Sequence, residues 1–301
     1  IFLALSLAID RPRQSALGVT IAARILGLLA LFPVPLALYM ASSPNIYPAV
    51  NPDTGGPTGA SQLESTLGVV LILLALPFAV APRRRQKLRI VVVLWAVFLL
   101  ELSLLAFLNH GDVSHRVPAQ YLSLASVLVW IPLVPVYYNQ FEWNPATRRW
   151  RTAFLAWWAG LVLTGWVMFL PGILDRFKFT DALVGHSLVA VAGFLSAYVV
   201  FTLIQILGES DSWILNRSLS FYAWNMGVLA YVIIIMIAGW FESTDPAFTI
   251  APGPVRNLIY VIRLLTGISM LAGSLEWLVA SLSLKTELVA TEVEVSGAKV
   301  A

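Results

Sequence analysis

Five ionisable side chains lie inside apolar stretches of this sequence: Arg24, Glu101, His186, Arg263 and Glu276. A charge at the centre of a bilayer costs about 2.5 to 3.5 kcal/mol on insertion scales, so each must pair, line a polar path or bind something. At about 1.5 Å of rise per helical residue their depths fall into two layers. Arg24 and Glu276 sit roughly 10 to 12 Å in from one face, and Glu101, Arg263 and His186 sit nearer the other. The spacing predicts interhelical ion pairs, Arg24 with Glu276 and Glu101 with Arg263, holding the last helix against the first and third. The other use of the same four charges is an ion or proton path through a transporter.

His186 stands in "DRFKFTDALVGHSLVAVAGFLSAYVV", residues 175 to 200. At helical spacing its face reads Ala182, His186, Ala190, Gly193 and Ala197, a strip of small side chains that lets something approach closely. Two readings stand. A second helix packs on the strip with the imidazole hydrogen-bonded across to it, or a flat macrocycle lies there with His186 as axial ligand. The first needs no cofactor; the second implies one heme or chlorophyll-type pigment.

The segment "FTDALVGHSLVAVAGF" resembles the histidine-bearing helix of heme–copper oxidase subunit I-like membrane proteins, including nitric-oxide-reductase-like and NnrS-like relatives. The resemblance covers one helix and implies an electron-transfer setting. The second histidine of that pattern is missing, because Ser187 and Leu188 follow His186. The other two histidines, His110 and His115, fall in the loop "NHGDVSHR". An oxidase core needs several embedded histidines, so oxidase catalysis is excluded. A six-coordinate heme would need His110 or His115 folded back, or Met168 or Met236, whereas a five-coordinate pigment would need His186 alone.

The elements that position these residues follow from composition. Of 301 residues 59% are hydrophobic and 12% charged, with a mean hydropathy of +0.82, far from the roughly 25% charged content of a soluble domain. Eight apolar runs stand out, at about residues 17 to 40, 66 to 82, 89 to 108, 121 to 138, 153 to 174, 183 to 207, 219 to 240 and 257 to 284. They lack period-2 alternation, and backbone groups in lipid must be satisfied internally, which favours helices over a barrel. The expected fold is an all-α polytopic bundle of about eight transmembrane helices. Residues 1–16 are expected as an interfacial segment or the remnant of a longer N-terminus, 17–284 as the membrane domain and 285–301 as a polar cytoplasmic tail.

Basic residues set the orientation. With both termini inside, thirteen of the 19 Lys and Arg residues face the cytoplasm, among them the loop "RRRQKLR", and four (Arg116, Arg176, Lys178 and Arg256) face outward. That loop reads as topogenic, with no nucleic-acid partner implied. The sequon at Asn216 falls on the inner side and is discarded. Tyr137, Tyr138, Trp143 and Trp150 are expected to form an inner aromatic belt, and Tyr39, Tyr121, Trp240 and Tyr260 an outer one.

The chain has no cysteine, which excludes disulfides, thiolate metal sites and a cysteine nucleophile. Nucleotide-binding, zinc-protease and serine-hydrolase motifs are absent, and no lysine lies in a span to carry a Schiff base. Pro33, Pro35, Pro132 and Pro135 bend helices one and four, a transporter feature that lacks the accompanying internal repeat. Trp158 and Trp166 on helix five share a face fit for a pigment, a quinone or another subunit. The function expected is a non-catalytic integral subunit of a larger respiratory or photosynthetic electron-transfer complex in the bacterial cytoplasmic membrane, in contact with lipid and other membrane subunits. A transporter is the alternative.

Overall fold

A computed structural model describes residues 59–82, 88–108, 115–208 and 212–298, which are all-α with no β-strand. The helices are α1 (Gly59–Val80), α2 (Leu88–Leu108), α3 (Pro118–Ser126), α4 (Trp130–Tyr138), α5 (Arg148–Met168), α6 (Ile173–Phe177), α7 (Asp181–Leu188), α8 (Ser196–Leu207), α9 (Ser218–Thr244) and α10 (Pro254–Ala298). Each predicted run from residue 66 onward coincides with one of these or with a pair joined end to end. The run at 17 to 40, with Arg24, Pro33, Pro35 and Tyr39, lies outside the described residues, as does the segment 1–16.

Five stretches are long and apolar enough to cross a membrane: Arg89–Phe107, Pro118–Tyr138, Asp181–Leu207, Ser218–Thr244 and Pro254–Ala280. The protein is an integral membrane protein. α1 contributes a shorter apolar stretch, Thr66–Val80. α5 opens with Arg148, Arg149 and Arg151 and carries four tryptophans, both of which lower its hydropathy. α10 continues as a single 45-residue helix to Ala298, past residue 284, where the composition turns polar.

Two spans are interrupted, each for a local reason. Between α3 and α4, Val127–Val129 tightens into a 3₁₀ turn. Pro132 has no N–H for the Leu128 carbonyl, so the regular i to i+4 ladder cannot run through this point. Between α7 and α8, Val189–Leu195 widens into a π-helix. The Ala192 carbonyl within it accepts the Trp224 indole N–H at 3.0 Å and the Ser196 hydroxyl, so the altered register leaves no orphan there.

Polar ties sort the chain into two ends. At one end Glu142 N donates to the Pro82 carbonyl (2.8 Å), Gln205 reaches the Val80 carbonyl (3.2 Å) and the Asn144 amide (2.9 Å), and the Trp150 indole donates to the Leu215 carbonyl (2.9 Å). At the other end Arg116 meets Asp175, Arg176 donates to Ser243 (2.8 Å) while stacking on Trp240, and Glu242 accepts from the Asp181 amide (2.6 Å). Residues assigned to inner and outer sides by the basic-residue rule thus separate in space.

The core of the first end is aromatic. Trp130, Trp150, Trp158, Tyr137, Tyr138, Phe141, Phe154 and Phe201 are fully buried. The Tyr137 hydroxyl donates to the Leu74 carbonyl (2.6 Å) and Tyr138 bonds Tyr198 at 2.9 Å, so these phenols are satisfied without water. This corrects the belt expectation. Tyr137, Tyr138 and Trp150 do lie near one end of their spans, but they point into the bundle; Trp240 and Tyr260 at the other end are exposed.

Candidate functional site

Glu101 and Arg263 do not pair with each other, and the predicted pair of Arg24 with Glu276 lies outside the described residues through Arg24. Arg263 Nη1 bonds Asp181 Oδ2 at 2.9 Å, and its second nitrogen reaches the Tyr231 hydroxyl at 3.4 Å. Glu276 Oε1 meets Arg217 Nε at 2.6 Å, and its other oxygen accepts from Ser220. Glu101 accepts instead from the indole of Trp130. The reason is lateral order. α10 packs along α9, and α7 packs on the other flank of α9, whereas α2 packs on α1, α3 and α4. The last helix therefore leans on its immediate predecessor. Arg263 finds the first residue of α7, and Glu276 finds the start of α9.

Glu101 is buried, and its Oε1 has no hydrogen-bond partner. A buried carboxyl with one oxygen bonded and one bare is costly when ionised. Asp181 sits one residue after the N-cap Thr180, whose side chain accepts from the Ala182 amide (3.3 Å). A Thr-Asp pair opening an apolar run is the sequence signal for that placement.

The loop cluster at the second end joins His115, Arg116 and Asp175. Arg116 grips one Asp175 oxygen through two nitrogens at 3.0 and 3.1 Å, and buried His115 places Nε2 3.2 Å from the other. Partial burial raises the Asp175 pKa, but the Arg116 hydrogen bond, the charges of His115 and Arg116 and the Gly172 amide outweigh it, holding the carboxyl below its ordinary 3.8. A folded-state pKa that is depressed stabilises fully above the ordinary value and is lost as pH falls through the lowered one. Acid titration of thermal stability should therefore show wild type losing this contribution at the acid end of that range. Asp175→Asn should start less stable at neutral pH and lack that step; an unchanged acid limb would refute the tie.

His186 takes the first of the two settings expected for it, with its imidazole bonded across to a closely packed neighbouring helix. The π-helix begins three residues later, at Val189. Ala182 packs against Gly239 of α9, and Gly193 faces the indole of Trp157. Trp157 in turn donates to Asn225 at 2.9 Å. Helices and an indole thus occupy most of the strip. His186 itself meets α5: Nδ1 is 3.0 Å from Thr164 Oγ1, and the ring edge lies where a side chain at Gly165 would begin, 3.2 Å from that position at Cε1.

On the cavity side of the imidazole is a space of about 230 Å³ bounded by α1, α3, α5 and α7 with the 3₁₀ and π segments. Trp158, Trp166 and Phe169 supply aromatic wall, Leu124 and Val127 aliphatic wall. Both indole N–H groups point out of the space, Trp158 to the Trp130 carbonyl (3.0 Å) and Trp166 to the Tyr121 carbonyl (3.3 Å). No family model, curated protein or solved structure matches this chain.

The volume tests the macrocycle. Pockets for drug-sized ligands begin at roughly 300 Å³, and a porphyrin or chlorin needs more than that. It does not fit between Trp158, Trp166 and His186 without displacing them. No chemistry is therefore routed through such a group. Met168 and Met236, the alternative axial ligands, do not line this space. Trp158 and Trp166 do share a face, and both wall the cavity.

Proposed function

We propose that the chain is a non-catalytic integral subunit of a larger electron-transfer complex, respiratory or photosynthetic, in a bacterial cytoplasmic membrane. It crosses the membrane eight times with both termini inside. The electron-transfer half of this reading rests on the resemblance of the His186 segment. The subunit half rests on one observation, the bare apolar surface of α10. Within Pro254–Ala280 the residues Leu258, Val261, Leu265, Ile268 and Val279 are exposed, and the helix packs chiefly on α9. Apolar patches of this extent mark lipid-facing or partner-facing surface.

A carrier built on Arg24, Glu101, Arg263 and Glu276 has less support. Arg263 and Glu276 are each held by a neighbour of opposite charge at opposite ends of one helix, which among the described residues of that set leaves Glu101 with an unbonded atom. Gentle solubilisation followed by identification of co-purifying chains tests the proposal. Recovery with redox-active membrane partners is expected; recovery as a monodisperse single chain that drives solute uptake in vesicles would overturn it in favour of the carrier.

A further inference from the structure

We infer that the His186 cavity is a receptor for one hydroxyl-bearing aromatic ring, of the phenol or quinol class, whose O–H donates to His186 Nε2. The inference shares its site with the proposed function, yet it depends on the cavity alone and stands whether or not partner subunits exist.

Hydrogen-bond bookkeeping assigns the imidazole tautomer. Thr164 Oγ1 carries a single hydrogen, and it lies 2.7 Å from the Gly160 carbonyl, one turn back on its own helix. A carbonyl can only accept, so the hydroxyl donates there and must accept at its second contact, His186 Nδ1 at 3.0 Å. Nδ1 therefore carries the proton of the neutral ring, and Nε2 presents a lone pair. No partner for Nε2 appears among the described residues, and His186 lines the cavity.

The rest of the wall offers little to an accepting ligand. The Trp158 and Trp166 N–H groups are committed to backbone carbonyls outside the cavity. Thr66, the other polar side chain of the lining, already takes part in an interaction of its own. A ligand that only accepts, such as an oxidised quinone or an aryl ether, leaves its oxygen and the Nε2 lone pair facing each other unpaired. A ring with a hydroxyl satisfies both.

Size selects a single ring. A dry apolar cavity of about 150 Å³ holds benzene, so about 230 Å³ accommodates one substituted six-membered ring and excludes a macrocycle. The π-helix that starts just after His186 keeps Ala190 on the cavity wall while Gly193 turns to Trp157. Such segments recur at functional sites. The shared chemistry, a ring hydroxyl, comes either from a free phenol or from the headgroup of a membrane quinol.

The test uses the full chain in nanodiscs, with 4-ethylphenol against 4-ethylanisole and, under anaerobic conditions, decyl-quinol against decyl-quinone, read by ligand-induced thermal shift and tryptophan fluorescence. The hydroxyl form is expected to bind about tenfold more tightly than its partner in at least one pair. His186→Leu should abolish that preference, and Thr164→Val should weaken it by freeing the tautomer. A preference confined to the decyl pair identifies a quinol headgroup; one shared by both pairs identifies the ring hydroxyl as sufficient. Equal binding within both pairs, or a preference that persists in His186→Leu, would overturn the inference. Should His186→Leu fail to fold, the comparison within pairs on wild type still decides.

Discussion

Gly239→Ala is expected to unfold or badly destabilise the protein, while Gly267→Ala, one helix away, is expected to be neutral or stabilising. A Cβ on Gly239 would lie 2.1 Å from the Ala182 nitrogen, 2.7 Å from its Cα and 2.6 Å from its Cβ. These are mostly backbone atoms of the first turn of α7, so no rotamer change relieves the clash. The turn is also pinned from three directions: by the Thr180 cap, by the Asp181 amide on Glu242 at 2.6 Å and by the Asp181 carboxylate on Arg263 at 2.9 Å. Moving α7 away would break the outer tie of α10 as well. Overpacking of this kind costs about 1 to 3 kcal/mol and more when backbone must shift. Around Gly267 nothing lies within 4 Å of the added carbon, so the helix gains the roughly 1 kcal/mol difference in propensity between Gly and Ala. Thermal denaturation of the two variants in one detergent checks the pair. Equal midpoints would mean that α7 and α9 do not meet as described.

The second large effect is expected at Trp130. Its ring is fully buried, its indole supplies the bond to Glu101, and its carbonyl receives Trp158. Trp130→Phe keeps most of the apolar volume but leaves both Glu101 oxygens without a donor. Removing one partner of a buried hydrogen bond costs about 1 to 3 kcal/mol, and more when the group left bare is charged, whereas replacing both partners by apolar groups is close to neutral. The double variant Trp130→Phe/Glu101→Leu should therefore recover most of the stability lost by Trp130→Phe alone. A cycle in which the two effects simply add would show that the carboxyl and the indole are uncoupled.

The spans were legible because they need only length and hydropathy; the bounds were less so, since α5 stops at Met168, short of residue 174, and α10 runs on to Ala298, past residue 284. Depth was legible too: Glu276 did fall at one end with Arg217, and Arg263 at the other with Asp181. What depth cannot supply is lateral order. Glu101 and Arg263 share a layer but stand on helices that do not adjoin, so a coordinate along the membrane normal paired the wrong partners. Around His186 the close approach of a second helix was legible, and His186 and Gly193 both meet α5. The π turn was not, because nothing in "VAVAGFL" announces it. Tyr137, Tyr138 and Trp150 were misassigned because a Tyr or Trp near a span end reads alike whether it faces headgroups or neighbours; burial of Tyr138 against Tyr198 depends on a contact sixty residues away.

The most direct test of the whole account is single-cysteine accessibility, which the absence of native cysteine makes free of background. Glu142→Cys and Asn216→Cys belong to the end built by Pro82, Gln205 and Arg217, whereas Lys178→Cys and Asp245→Cys belong to the end built by Arg116, Asp175 and Arg176. In sealed cells an impermeant maleimide should label the second pair and spare the first until the membrane is opened. Labelling of Glu142→Cys and Lys178→Cys from the same side would contradict the alternating bundle on which every assignment of depth, pairing and cavity depends.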